Sequence, residues 1–481
     1  MLATLLANEL ACPICRSSLK KKNETVVCQD CATSYPILDG VPAFIVQPDN
    51  GVGDTINSSI DVSVLILAMN EEENLRHALK ETRKVLDYLG ITYEIVIVDG
   101  GSKDATVSCA LSFGARVHVQ TQPGYGNAFR EGVKLVKGRY LLTLDADLSH
   151  DPNYIQALWD RRHSAEAHIL SRYTPGGEAI MPLSRRLLSR MLSLVFSQVL
   201  SVPVADLSSG FRLYKTSAIK GLKLEGSNFD VLVEVMVKLY NEGYRISETP
   251  MFYKPRGEGQ SHVRLFNFAK SYAKAIWRLW LLRKSVAAAD YDSLAYHSII
   301  WPQRQWQRLR YAAILRLLGG QTSSILDVGC GSSKIIQSLP GAVGLDILLR
   351  KVRFLRRIHP NLVNGTVFQL PFKDESFETV ICSELLEQLD DRQKAMAELV
   401  RVLKPGGRLI LGTPDHGRLS WRLIKPIYQW IIPGGYASEH ITPWNRKDLH
   451  KLLASHDIEF IEETYIAGSE WIGLGRKPLK S

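Results

Sequence analysis

Three apolar runs in this chain share one design. Asp61-Val62-Ser63-Val64-Leu65-Ile66-Leu67, Tyr93-Glu94-Ile95-Val96-Ile97-Val98 and Tyr140-Leu141-Leu142-Thr143-Leu144 each read as a buried strand that runs into an acidic turn. Strand, tight loop and helical pattern alternate, which predicts an α/β fold built on a parallel sheet with its chemistry at the strand C-termini. Three strand ends then meet on one rim, and each brings acids. The third is the densest: LDADLSHDP places Asp145 and Asp147 two residues apart where a strand leaves the core. Desolvated carboxylates repel one another, so such a pair calls for a cation. Alone, an Asp-x-Asp also fits a solvated turn.

At 481 residues the chain exceeds one ordinary core. With 45% apolar and 22% charged residues it is expected to be a folded, water-soluble protein. The net charge of +10 is uneven, since Lys254 to Lys284 carries eight Lys/Arg against one acid, Glu258. No apolar run reaches ~18 residues, so no transmembrane helix is expected. The start, MLATLLANEL, lacks a charged n-region, and no signal peptide is expected either. Cys109, Cys330 and Cys382 are scattered singly, a usage that fits reduced thiols in a cytoplasm. Gln47–Ser59 reads as a linker, and a second break lies around Ser285–Tyr296.

The other four cysteines form Cys12-Pro-Ile-Cys15 and Cys28-Gln-Asp-Cys31, two Cys-x-x-Cys turns twelve residues apart. Two such turns complete a tetrahedral thiolate site for structural Zn²⁺. With the tail Tyr35–Phe44, residues 1–46 resemble the small zinc-ribbon family related to the methyltransferase activator of tRNA and protein methylation.

Residues 61–282 resemble a family 2 glycosyltransferase of the GT-A (Rossmann-like nucleotide-sugar) fold, close to the dolichyl/polyprenyl-phosphate mannosyltransferase branch. The stretches that carry the likeness are NEEENL, VDGGSKDAT, GYGNA, LDADLSHDP, SRY, DLSSGFRLY, GYRISETP and RGEGQSH, in that order. The resemblance implies a nucleotide-sugar donor, and Mg²⁺ or Mn²⁺ held by Asp145 and Asp147 with Ser149 nearby. It also implies Asp99 against the base or ribose, and Arg172, Arg185 and Arg256 on the phosphate of a lipid acceptor. Asp99 could equally cap the turn that follows it, and Arg185 could be one charge of a solvated helix face. An ionised acceptor phosphate needs no strong base, and inversion is the outcome the family implies. The family's Pro-Thr-Tyr-Asn-Glu is Leu67-Ala68-Met69-Asn70-Glu71 here, its Asp-Asp is Asp99-Gly100, and a terminal lysine is His262. These departures leave the sugar and the nucleotide open.

In LFNFAKSYAKAIWRLWLLRK, Phe268, Tyr272, Ile276 and Leu279 share one helical face, with Lys270, Lys274 and Arg278 opposite. Residues 264–284 are therefore expected to lie against an anionic membrane, or else to dock on the domain with a solvated basic face.

In the last part, Ser324-Ile325-Leu326-Asp327-Val328-Gly329-Cys330-Gly331-Ser332 is a strand entering a glycine turn, and Ala342–Asp346 a second strand ending in an acid. With Leu370-Pro371-Phe372 and Leu403-Lys404-Pro405-Gly406-Gly407, residues 290–481 resemble a class I S-adenosylmethionine methyltransferase of the branch acting on small molecules and lipids. That resemblance places Gly329 and Gly331 at the methionine end of the cofactor, Asp327 near its amino group and Asp346 on its ribose. Ser333, Thr366 and Glu387-Gln388 depart from the family pattern, so a degenerate domain stays open. His440 in Glu439-His440-Ile441-Thr442 is a candidate base or a structural histidine. Ser383-Glu384 stand where base-methylating enzymes carry an Asn-Pro-Pro-Tyr-like tetrad, which speaks against a nucleic-acid partner.

The expectation is a bifunctional enzyme on the inner, cytoplasmic face of a membrane, peripherally attached. It would glycosylate a lipid phosphate and methylate a connected glycan, lipid or small molecule. Two other readings remain: an RNA-modifying methyltransferase with an inert glycosyltransferase domain, and a membrane scaffold with both sites dead.

Overall fold

The computed structural model describes residues 5, 8–45, 58–147, 149–253, 265–431, 441 and 443–479. Arg256, His262 and His440 lie outside the described residues, and so does the side chain of Arg185. The chain forms two compact units, one of residues 48–283 and one that joins residues 1–47 to 284–481.

The N-terminal segment is a four-stranded antiparallel sheet of β1 (Leu19–Lys22), β2 (Thr25–Cys28), β3 (Ser34–Leu38) and β4 (Val41–Pro42).

The unit of residues 48–283 holds a seven-stranded sheet built from β5 (Val62–Ala68), β6 (Tyr93–Asp99), β7 (Arg116–Val119), β8 (Tyr140–Asp145), β9 (Ala167–Ser171), β11 (Arg212–Lys215) and β12 (Ile246–Pro250). A short parallel pair, β10 (Glu178–Ala179) with β13 (Phe252–Tyr253), stands apart from it. The sheet order is β12-β9-β11-β8-β5-β6-β7, and β11 alone runs antiparallel to its neighbours. Because β5 has β6 on one side and β8 on the other, the winding reverses there, and the loops after these strands open a crevice. Helices α1 (Glu72–Tyr88), α2 (Tyr125–Leu135), α3 (Leu183–Leu200), α4 (Asp230–Asn241) and α5 (Leu265–Lys284) accompany the sheet.

Helix α5 takes the second of its two expected places and docks on the domain. Tyr272 and Leu279, assigned to a lipid-facing side, are 7% and 0% exposed. The Tyr272 ring stacks on Phe196 of α3 with centroids 5.6 Å apart, and its hydroxyl donates to Phe229 O at 3.2 Å. The basic side is partly engaged, although Lys274 is exposed. Arg278 pairs with Glu234 at 2.9 Å and Glu225 at 3.0 Å, and buried Arg283 donates to Leu200 O at 2.9 Å. An apolar stripe can face protein or lipid equally well, and here α3 and the residues around α4 supply the protein.

The C-terminal part contributes α6 (Tyr291–Tyr296), α7 (Trp301–Leu318), α8 (Leu349–Leu355), α9 (Arg392–Val402) and a second seven-stranded sheet. Its strands are β14 (Ser323–Val328), β15 (Gly341–Asp346), β16 (Leu362–Asn364), β17 (Phe377–Ser383), β18 (Leu403–Pro414), β19 (Glu459–Ile466) and β20 (Glu470–Arg476). The order is β16-β15-β14-β17-β18-β20-β19, parallel except for β20.

The cysteine-bearing segment closes the β16 edge of this sheet. Ala43 bridges Asn364 in parallel, and Phe44 N donates to Asn364 O at 2.9 Å. Further along, Leu10 bridges Phe372, and Ala11 N donates to Pro371 O at 3.0 Å. One apolar cluster runs from Leu10, Val26 and Tyr35 into Leu370, Phe372 and Phe377. An edge strand carries unpaired backbone groups, and covering it satisfies them.

Candidate functional sites

Asp145 ends β8, and Asp147 lies in the turn beyond, buried, with Ser149 N donating to its Oδ1 at 3.1 Å. The Asp145 carboxylate rests against Gly210 across the sheet. A Cβ there would sit 3.1 Å from both carboxylate oxygens, so a side chain at this position would push the Asp145 carboxylate by a few tenths of an ångström. His150, missed as a candidate in the sequence, is buried with Nδ1 3.6 Å from Asp145 Oδ2. Burial lowers its pKa, outweighing Asp145 and Asp147, so the ring is neutral. Two acids at one strand end, backed by a neutral ring, are the kind of set that could hold a divalent cation.

Arg172 joins the same neighbourhood. Its guanidinium is 5.4 Å from the Tyr253 ring centroid, and that ring lies 5.9 Å from His150. It also meets Asp206 bidentately, Nε to Oδ2 at 2.7 Å and Nη2 to Oδ1 at 2.8 Å, while Nη2 reaches Ser208 Oγ at 2.7 Å. Burial opposes the charge on Asp206, and Arg172 overcomes it, holding that carboxyl below its usual range. Among the described residues no hydrogen bond reaches Nη1, so Nε and Nη2 carry the pairing with Asp206 and Ser208. Asp206 opens the DLSSGFRLY stretch, and only the fold showed what it grips.

Asp99, at the end of β6, is 2% exposed and has both oxygens engaged. Gly101 N and Ser102 N donate to Oδ2 at 2.9 and 3.0 Å, and Ser102 Oγ donates to Oδ1 at 2.5 Å. This is the turn-capping arrangement, and it braces the loop at the crevice.

In the C-terminal part, β14 has β15 on one side and β17 on the other, and the glycine turn sits at that switch point. Asp327 is buried, and its Oδ2 has no hydrogen-bond partner. Burial, reinforced by Asp346 and Asp292, pushes its carboxyl up to about 7. Asp346 accepts from Gly331 N at 2.9 Å and Leu348 N at 2.8 Å, so it shapes the turn, and burial raises its pKa as well. Gly329 and Gly331 take φ of 72° and 54°. At Gly331 a Cβ would fall 2.4 Å from Asp292 Oδ2.

Asp292 on α6 was not foreseen. It accepts from Ser332 N at 2.7 Å and Ser332 Oγ at 3.0 Å, and pairs with Lys351 of α8 at 3.3 Å. At the end of β17, Glu384 pairs with Arg310, which also donates to Glu470 at 2.6 Å. Thr366, standing where the family has an acid, caps a short turn by accepting from Phe368 N at 3.3 Å. The cavity lined by Asp292, Arg310, Asp327, Gly329 and Glu384 measures about 40 Å³. A buried carboxylate with an open oxygen beside a glycine turn suits an ammonium group, such as the aminoacyl end of S-adenosylmethionine.

The Sγ atoms of Cys12, Cys15, Cys28 and Cys31 lie within 4.8 Å of one another, a set that could hold a zinc ion.

Residues 63–222 match the family described as Glycosyl transferase family 2, and residues 326–411 match one described as a methyltransferase domain. With the two α/β sheets and their strand-end sites, these matches define a transferase enzyme. The chain is similar to a dolichol-phosphate mannosyltransferase of Pyrococcus furiosus, 29% identical over 227 residues, or 45% of this chain. It spans 63% of that relative's length. An undecaprenyl-phosphate mannosyltransferase of Micrococcus luteus is 28% identical over 215 residues, covering 42% of this chain and 87% of the relative. A solved glucosyl-3-phosphoglycerate synthase of Mycobacterium tuberculosis, in complex with Mn²⁺, UDP-glucose and phosphoglyceric acid, aligns with TM-score 0.39 at 18% identity, over 48% of this chain and 83% of that one.

Proposed function

We propose that the chain is a bifunctional transferase. Its middle unit moves a hexose from GDP-mannose or a UDP-hexose to a polyprenyl phosphate or related lipid, with inversion. Its C-terminal domain methylates a connected glycan, lipid or small molecule. The observation that carries the first half is the grouping of Asp145, Asp147 and His150 with Arg172 and Tyr253 at one sheet rim. The two mannosyltransferases similar to this region are named for polyprenyl-type phosphate acceptors, which supports the lipid.

Mg²⁺ or Mn²⁺, held by Asp145 and Asp147, would neutralise the departing nucleoside diphosphate. The chain's own residues do the rest. Asp99 holds the loop that borders the donor. Asp206 fixes Arg172, which is proposed to orient the acceptor phosphate, and Arg185 and Arg256 are proposed to add charge there. No base is required, because the acceptor oxygen is already ionised. Neutral His150 limits the room around Asp145 and adds no positive charge that would compete with a metal.

For methyl transfer, Asp327 is proposed to take the cofactor's ammonium and Asp346 its ribose, with Gly329 and Gly331 allowing close approach. S-adenosylmethionine supplies the methyl group when bound. Cys12, Cys15, Cys28 and Cys31 are proposed to hold structural Zn²⁺.

The test incubates pure protein with membrane lipid extract, Mg²⁺ or Mn²⁺, and separately labelled GDP-mannose, UDP-glucose and UDP-GlcNAc. Acid-labile label in the organic phase, lost in Asp147→Asn, is expected. No organic-phase label with any donor would sink the lipid-phosphate reading.

A further inference from the structure

The middle unit carries a groove that none of Asp99, Asp145, Asp147 and Arg172 lines. It measures about 680 Å³, a size that suits a small molecule. One wall is α2, and the other is residues 219–224, where the short helix Thr216–Lys220 ends.

The walls are basic. Asn127, Arg130 and Lys134 sit at i, i+3 and i+7 on one face of α2, and Lys220 and Lys223 line the other wall. Glu131 is the one acid of the lining, and it is engaged elsewhere. It accepts from Thr121 N at 3.0 Å and Thr121 Oγ1 at 2.6 Å, and it meets His118 Nε2 at 2.8 Å.

The carbonyl end of α2 explains Lys220, whose Nζ donates to Val136 O at 2.7 Å. Arg130 is held in place, donating through Nη1 to Leu224 O at 3.1 Å and through Nη2 to Asn127 Oδ1. Nothing of the kind explains Lys134 and Lys223. Their side chains are exposed and make no hydrogen bond or ion pair among the described residues. Four cations around one groove repel one another, and an anion with more than one charge relieves that repulsion.

The floor is apolar. Val133 and Ile219 are buried, with half-buried Leu222 and Leu224 beside them. A bare inorganic ion would leave that surface wet, whereas a molecule with both a charged and an apolar part covers it.

The groove is closed off toward Asp145. Beyond Leu224 the chain is pinned to the start of α2, where Gly126 N donates to Ser227 O at 2.9 Å and the rings of Tyr125 and Phe229 stack 4.3 Å apart. A Cβ on Gly126 would fall 2.3 Å from Gly226 O, so no ligand passes between these segments. Burial, and then the charge of Asp145, raises the pKa of the Tyr125 hydroxyl, which puts this tight contact on the Asp145 side.

We infer that the groove is an anion site separate from the Asp145–Asp147 pair, and that it takes a small molecule joining a diphosphate to an apolar moiety, as a nucleoside diphosphate does. It does not depend on the lipid-acceptor reading, because binding is measured without transfer.

The experiment is calorimetric titration of the full chain with pyrophosphate and with ADP, in EDTA and at physiological salt, where weak surface attraction is screened. Wild type is expected to bind both, ADP the more tightly. Lys134→Glu/Lys223→Glu should weaken both about tenfold or more, and Leu222→Ser should weaken ADP more than pyrophosphate. The two lysines have no partner to lose, so folding should survive, and thermal melts check it. Lys134→Gln/Lys223→Gln repeats the test without charge reversal. In EDTA, Asp145 and Asp147 repel a diphosphate, so binding at that pair would tighten in Asp147→Asn, whereas binding in the groove should not change. Wild type that binds neither probe overturns the inference, and so do lysine variants that bind both as tightly as wild type. Binding that tightens in Asp147→Asn and ignores the lysines overturns it too, by placing the anion at the acidic pair. Pyrophosphate that binds as tightly as ADP, or ADP that ignores Leu222→Ser, would overturn the class of ligand.

Discussion

Arg172 and Asp206 form a bidentate ion pair with side-chain exposures of 11% and 0%, which fixes Arg172 through Nε and Nη2. Truncating one partner of a buried pair strands the other charge. Asp206→Ala should destabilise the middle unit by about 3–5 kcal/mol, read by urea unfolding. Asp206 is held below its usual range, so the pair's contribution is complete above the unfolded carboxylate value of about 3.9 and is lost only as pH falls below it. The difference between wild type and Asp206→Asn should be flat from neutrality down to mildly acid pH. A difference that shrinks near neutral pH would refute the assignment.

Asp327 carries the opposite sign. Its folded value is raised to about 7, so the stability it confers is full below the unfolded value and lost as pH rises through 7. The ligand-free C-terminal unit should lose up to about 1.4 kcal/mol per pH unit between about pH 5 and 7, and Asp327→Asn should remove that slope. A cationic ammonium favours the ionised carboxylate, so S-adenosylhomocysteine should protect more strongly at higher pH. Thermal melts across pH, with and without it, check both.

Asp147→Asn should lower sugar transfer by about a hundredfold or more with little change in stability. Gly210→Ala should also impair transfer, by about tenfold, because its methyl would crowd Asp145. Excess Mn²⁺ should recover part of the Gly210→Ala loss and none of the Asp147→Asn loss. Initial rates across a metal titration distinguish the two.

Stripping metal from the cysteine cluster should weaken the methyltransferase part and spare the middle unit. Cys28 and Leu10 share a core with Phe372, and Asp39 pairs with Arg353 at 2.7 Å. Chelation or Cys28→Ser should lower that unit's melting temperature by about 5 °C or more. Calorimetry that shows only the middle unit shifted would count against it.

Local pattern carried much of this. Runs such as Val64–Ile66 and Ile95–Val98 announce buried strands, acids mark where they end, and Cys-x-x-Cys turns announce a thiolate cluster. These are properties of a few neighbouring residues and their hydration, so the sequence by itself determined two α/β sheets, the placing of Asp145 and Asp327 at strand ends, and the gathering of four thiols. Tertiary structure decided the rest. It chose Asp206 as the partner of Arg172, brought Asp292 into the glycine turn, and set the cysteine segment on Asn364 more than three hundred residues away. It also turned Tyr272 and Leu279 inward while leaving Leu187 and Leu194 outside. An amphipathic stripe records only that one side of a helix avoids water. Whether protein or lipid covers it depends on which distant surfaces reach it first, and no local spacing encodes that.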